Sequence, residues 1–143
     1  MNNQHGKEML ISELREELGP EGVLTGDAVS GRLAGIWRTD AIAAPVIFRP
    51  ANTAEVAAVL RACHAARQSV VTHGGLTGLA EGAIASADDV VLSTERLNQI
   101  EAVSVTDRTI TVQAGATLQA VQDAAAKEGL MLEIGRASCR ERV

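Results

Sequence analysis

The chain has 143 residues, enough for one domain with its own core and too few for a cofactor domain plus a separate substrate domain. Hydrophobic residues make up 46% of it, yet Trp37 and Phe48 are the only aromatics, so Ala, Val, Leu and Ile must build the interior. The net charge of -5 argues against a nucleic-acid partner, because phosphate backbones are gripped by clustered Lys and Arg and no such cluster stands outside the last eight residues.

Cys63 and Cys139 form no staple framework and fall in no C-x-x-C pattern, and no metal site is expected. The first residues lack the apolar stretch of a signal peptide, and no window is long and apolar enough to span a bilayer. The expected location is the cytoplasm, or the periphery of the inner membrane, with no transmembrane segment.

Taken in order, residues 7–18 place Leu10, Ile11, Leu14 and Leu18 on one helical stripe that stops at Gly19-Pro20. Residues 21–44 have no sustained period and read as a loop-rich lead-in with a short strand at Val23-Leu24. Pro45-Val46-Ile47-Phe48 suits a buried strand entered by proline. Asn52-Thr53-Ala54-Glu55 then resembles a capping box, opening a helix whose Val56, Val59, Leu60 and Cys63 form the expected apolar stripe and which ends near Arg67-Gln68. Ser69-Val70-Val71-Thr72-His73 follows as a second strand, completing a strand-helix-strand unit long enough for a parallel crossover. Residues 89–92 read as a third strand. Residues 100–105 and 109–114 form an expected antiparallel hairpin through Thr106-Asp107-Arg108, with Ile110 and Val112 inward and Thr111 and Gln113 outward. Thr117 caps a last helix carrying Leu118, Val121 and Ala125 and ending at Gly129.

The chemistry concentrates after the second strand. Residues 68–80 contain no Asp, Glu, Lys or Arg, while Gly74, Gly75 and Gly78 fall within five residues. Glycine permits positive φ and removes Cβ, so successive N–H groups can converge on one oxyanion, and the missing carboxylates avoid repulsion. Thr77 adds a hydroxyl donor. This composition suits a phosphate or pyrophosphate at the carboxyl end of a parallel strand. No lysine completes a Walker loop, and Gly75-Leu76-Thr77-Gly78 supplies only part of a dinucleotide fingerprint. On composition alone, a glycine turn that binds nothing is equally compatible.

Other residues carry blander expectations. His73, at a strand end, is read as a hydrogen-bonded structural side chain rather than a base, and Cys63 as packing. Asp88-Asp89 reads as a solvated turn, and Glu13, Glu16 and Glu17 as a solvated helix face.

Four stretches in order carry a resemblance: residues 45–56, residues 70–79, residues 90–100 and residues 111–118. Together they resemble the FAD-binding domain of the vanillyl-alcohol oxidase and p-cresol methylhydroxylase family, nearest its D-lactate, glycolate and D-2-hydroxyglutarate dehydrogenase branch. The likeness runs from about residue 44 to residue 132. It implies an α+β fold of the p-cresol methylhydroxylase type: a small parallel β-α-β subdomain followed by the start of an antiparallel subdomain, truncated. It divides the chain into a lead-in at 1–44, a partial FAD-binding domain at 45–132 and a tail at 133–143.

The resemblance also implies site residues. Thr72, His73, Gly74, Gly75, Leu76, Thr77, Gly78 and Leu79 would lie against the FAD pyrophosphate, Gly115 would lie near the cofactor, and Trp37-Arg38 stands where relatives carry an aromatic or basic residue, which implies a weak contact to the flavin. Thr72 and Leu76 replace the family's usual Pro and Asn, and neither change removes a backbone donor. Leu76 stands where covalent members often carry His, so FAD is expected to be non-covalent. The implied parent is an FAD-dependent oxidoreductase that takes a hydride from a 2-hydroxy acid and passes electrons to an acceptor, its catalytic residues lying outside this chain. The alternatives are a sugar or alcohol oxidase of the same superfamily, or a non-catalytic nucleotide-binding fragment. Back-translated, Ile134 to Val143 resembles a common sequencing adapter and a codon for Glu133 can supply its preceding bases, so 133–143 is expected to be adapter read-through joined to a truncated frame, with a basic tail as the alternative. Alone, such a fragment is expected to be marginally stable and without turnover.

Overall fold

The computed structural model describes residues 3–132. The elements are α1 (Asn3–Leu18), a 3-10 turn (Pro20–Gly22), β1 (Val23–Thr25), α2 (Asp27–Ser30), β2 (Val46–Phe48), α3 (Thr53–Ala65), β3 (Val70–His73), β4 (Val90–Ser93), β5 (Ile100–Ser104), β6 (Thr109–Val112) and α4 (Leu118–Lys127). The adapter-derived tail expected at 133–143 lies outside the described residues.

The six strands of the described residues make two sheets. One has the order β1-β2-β4-β3, and the other is the β5-β6 pair. β2 and β3 each run parallel to β4, while β1 is an antiparallel edge on β2. The strands flanking α3 are therefore not neighbours, because β4 lies between them.

Side-chain alternation divides the sheet's surroundings in two. Val46, Phe48, Val90 and Leu92 face α1 and α3, meeting Leu10, Leu14, Leu18, Val59 and Cys63. Ile47 and Val91 face the other way and meet Val29, Ile42, Ala44 and Ala85. That second face is covered by α2 and by irregular chain from the lead-in. Each fully buried Val, Ile or Phe contributes about 1.5–3 kcal/mol, so β2 and β4, buried throughout, anchor the molecule.

α3 starts as its sequence predicts, with one change of partner. Asn52 Oδ1 accepts from Glu55 N at 2.9 Å, but the Glu55 carboxylate accepts from Ala51 N at 2.7 Å, one residue before the cap. The expected stripe needs a correction at Leu60, which is 46% exposed. Ala58 is buried in its stead, because small side chains let the helix face turn toward its alanines and approach the sheet more closely. The helix also ends at Ala65, before the expected Arg67-Gln68.

The second unit is thinner. β5 and β6 pair with an irregularity between Ile100 and Ala102, and α4 packs on them through Val121 and Ala125. Ile110 and Val112 alternate with exposed Thr109 and Thr111 as predicted, yet both are only half-buried. Gln113, expected outward, is half-buried too, and Gln99 N donates to its side chain at 3.2 Å.

Asp89 departs from a solvated turn. Its carboxylate accepts from Ser69 Oγ at 2.5 Å, and from Ser86 N and Ser86 Oγ at 2.7 Å each, tying the starts of β3 and β4 together. These hydrogen bonds hold its pKa below the ordinary carboxylate value.

Candidate functional site

Parallel pairing brings the carboxyl ends of β2, β3 and β4 to one edge of the sheet. β3 ends at His73, registered against Ser93. Thr94 N donates to His73 O at 3.0 Å, fixing the point from which the glycine segment departs. The His73 side chain is 4% exposed, and its Nε2 lies 2.8 Å from Ala83 O, so the ring spans the two ends of the loop that follows. Burial lowers its pKa below the ordinary 6.5, which keeps the ring neutral and suits Nε2–H as donor to that carbonyl.

Beside this edge, Glu95 joins three segments. Its carboxylate accepts from Arg32 at 2.7 and 3.2 Å and from Arg49 at 2.8 Å, and Arg49 also donates to Glu21 O. Burial acts to raise the Glu95 pKa, but the two guanidiniums outweigh it and hold the carboxyl below its ordinary range. The network ties the lead-in to the ends of β2 and β4.

The glycine segment has the donor set that an oxyanion requires. Among the described residues, no N–H from Gly74 to Gly78 donates to a protein acceptor. A Cβ built on Gly74 or Gly78 meets nothing within 4 Å, and neither residue has φ between +20° and +160°. Neither backbone strain nor packing within the chain therefore demands glycine there; the space that a side chain would fill is open. Positive φ in the loop falls instead on Leu76, at 55°, and on Glu81, at 59°. Those are conformations that L side chains seldom adopt.

The segment forms one wall of a cleft of about 640 Å³, within the range of small-molecule sites. Leu76, Gly78 and Leu79 line it, continued by residues 80–84, and the opposite wall comes from the lead-in through Ala34, Gly35, Trp37, Arg38, Thr39 and Asp40. Two ties cross between the walls: Ile36 N donates to Leu76 O at 3.4 Å, and Arg38 donates to Glu81 at 3.0 Å. Arg38 also forks onto Asp40 at 2.8 and 3.0 Å; that pairing, despite partial loss of solvation, raises the Arg38 pKa and lowers that of Asp40.

Of the residues expected at the site, Leu76, Gly78 and Leu79 line the cleft, and Trp37 and Arg38 line it too. Thr72 is exposed on β3, His73 is buried behind the loop, and Gly74, Gly75 and Thr77 belong to the same segment without lining the cleft itself. Gly115 lies against the turn after β4: its N–H donates to Leu97 O at 2.8 Å, and a Cβ on it would fall 1.8 Å from Thr94 O. The opposite wall beyond Trp37 and Arg38 was not legible, because two irregular loops meet there only through the sheet between them. The one available signal was Glu81, the first charged residue after the uncharged run at 68–80.

Among the described residues no group of three His, Cys, Asp or Glu side chains is placed to hold a metal ion, and no helix is long and apolar enough to cross a membrane. An FAD binding domain family matches residues 44–142. The chain belongs to that family. It is 45% identical over 96 residues to a D-2-hydroxyglutarate dehydrogenase of Xanthomonas citri pv. viticola, covering 65% of this chain and 20% of that protein. It is 38% identical over 85 residues to a D-lactate dehydrogenase of Archaeoglobus fulgidus, covering 59% of this chain and 19% of that one. A D-2-hydroxyglutarate dehydrogenase of Stutzerimonas stutzeri aligns over 90% of the chain and 28% of its own length at 32% identity. The chain thus spans from about a fifth to somewhat over a quarter of these relatives' length. Solved structures show the same fold: 4-ethylphenol oxidase from Gulosibacter chungangensis has a TM-score of 0.79 over 96% of this chain and 28% of its own, at 20% identity. A p-cresol methylhydroxylase reaches 0.75 over 92% of this chain and 27% of its own, at 18% identity. The p-cresol methylhydroxylase type of fold expected from the sequence is the fold observed.

Proposed function

We propose that this chain is the part of a flavin-dependent oxidoreductase that holds the FAD diphosphate, and that the parent protein oxidises a 2-hydroxy acid of the D-lactate or D-2-hydroxyglutarate class. The observation that carries the reading is the uncharged segment at the end of β3, whose amides from Gly74 to Gly78 have no acceptor among the described residues and whose Gly74 and Gly78 have open space where a side chain would be. Backbone dipoles of this kind hold phosphate oxygens without a cation. The residues assigned to the cofactor are Thr72, His73, Gly74, Gly75, Leu76, Thr77, Gly78 and Leu79, with Gly115 supporting the turn beside them. Bound FAD supplies the hydride acceptor; the chain supplies binding and orientation. The relatives named for D-2-hydroxyglutarate and D-lactate support the substrate class, and an electron acceptor completes the parent's turnover.

We further infer that FAD is held without a covalent bond. Leu76 offers no nucleophile, and among the described residues no imidazole, thiol or phenol lines the cleft. Acid precipitation of the parent protein should release all its flavin into the supernatant; yellow colour retained in the pellet would refute this.

The decisive experiment compares glycines. Gly78→Ala in the parent should leave the melting temperature unchanged, because its methyl meets no protein atom, while FAD affinity falls at least tenfold. Unchanged FAD affinity would remove this loop from the cofactor site.

A further inference from the structure

The cleft presents an electrostatic problem for the ligand assigned to it. Its charged lining residues are Arg38, Asp40 and Glu81, one cation against two carboxylates, whereas a diphosphate brings further negative charge. The two carboxylates hold Arg38 differently. Asp40, two residues away, takes a two-pronged grip at 2.8 and 3.0 Å. Glu81 reaches Arg38 from the other wall through a single contact at 3.0 Å, with its side chain 69% exposed and its backbone at φ 59°. An exposed, single-contact ion pair is weak and screened by salt, while a phosphate offers the same guanidinium edge a stronger, geometrically matched partner. Arg38 stands on the wall facing Leu76 and Gly78, so a group held by the amides of those two residues lies in the same cleft as this side chain.

We propose that Arg38 is a binding residue for the cofactor's diphosphate, and that Glu81 is its competitor: an entering phosphate displaces Glu81 from Arg38 while Asp40 keeps the guanidinium aimed across the cleft. The inference rests on the FAD reading above and adds a cationic contact to it. Glu81 thereby lowers cofactor affinity and makes it dependent on ionic strength.

The test uses the parent protein from its full reading frame, stripped of flavin, with FAD affinity measured by quenching of flavin fluorescence at low and high salt. Glu81→Gln should tighten FAD binding about two- to fivefold at low ionic strength, with the gain shrinking as salt rises. Arg38→Gln should weaken binding about tenfold and flatten its salt dependence, which a merely structural role would leave unchanged. Should Arg38→Gln fail to fold, Glu81→Gln still decides, since damaged folding does not produce tighter binding. Unchanged or weakened affinity in Glu81→Gln, or an Arg38→Gln loss equal at all salt concentrations, overturns the proposal while leaving the glycine-loop reading intact. A parent that takes up no FAD under any condition overturns both.

Discussion

A methyl group added to Gly115 would fall 1.8 Å from Thr94 O and 2.7 Å from Thr94 C, backbone atoms that move only if their turn moves. Gly115→Ala should therefore cost on the order of 3 kcal/mol in urea unfolding, well above an ordinary surface change. A loss under 1 kcal/mol would mean that this turn yields easily. Gly74 and Gly78, with open space around them, belong to a different class, although all three glycines look alike in the sequence. His73 makes a second prediction at this scale. Its folded pKa lies below the ordinary 6.5 because burial disfavours the imidazolium. The unfolded chain then binds the extra proton more readily, so the His73 contribution to stability is complete above pH 6.5 and is lost as pH falls toward the folded value. Thermal melts at pH 7.5 and 5.5 should show a drop in the natural chain that is smaller in His73→Gln, which keeps a donor for Ala83 O. An equal drop in both would assign the pH response to other groups. Cys63 behaves in the same physical terms: burial pushes its thiol up to about 11, leaving it a packing residue.

Helix ends show how far element-level signals reach. α4 closes as its glycine predicts: Gly129 adopts φ 70°, Leu130 N donates to Ala125 O at 2.9 Å, and Gly129 N donates to Ala126 O at 3.0 Å. α3 closes with the same double bond pattern, Gln68 N to Cys63 O at 2.8 Å and Arg67 N to His64 O at 3.0 Å, but places Arg67 at φ 52° where glycine would be at ease. Arg67→Gly should stabilise the protein by about 1 kcal/mol, read from the denaturation midpoint; a destabilised variant would show that the Arg67 side chain contributes more than its backbone costs. The start of α3 was legible because Asn52 and Glu55 advertise a local hydrogen-bond exchange that needs no tertiary partner. Its end and its buried face were not, since an arginine gives no stop signal and the alanines that admit close approach to the sheet carry no hydrophobic period of their own. The same reasoning applies to the cleft. The uncharged glycine run is a local signal, while the wall carrying Gly35 and Asp40 exists only because β2 and β4 bring two distant loops together.

At the scale of the whole chain, burial is uneven. β2 and β4 are buried on both faces, whereas β5 and β6 form a two-stranded sheet whose inward residues are half-buried. Amide hydrogen exchange on the chain alone should be slowest in β2 and β4 and faster by at least tenfold in β5, β6 and α4. Equal protection in both units would show that the hairpin draws on support beyond α4. The division into a parallel unit and an antiparallel one was legible from strand lengths and the long α3 connection; the insertion of β4 between β2 and β3 was not, because nothing in four β-branched or aliphatic residues states which neighbours they will take. That insertion has a consequence for biosynthesis. β4 is the last strand of its sheet to leave the ribosome and the one that separates β2 from β3, so the two earlier parallel strands emerge with the edges that will face it bare. The floor of the cleft sets only once residue 93 is clear of the exit tunnel, and a chain interrupted before that point would offer chaperones two unsatisfied edges rather than a smaller working fold.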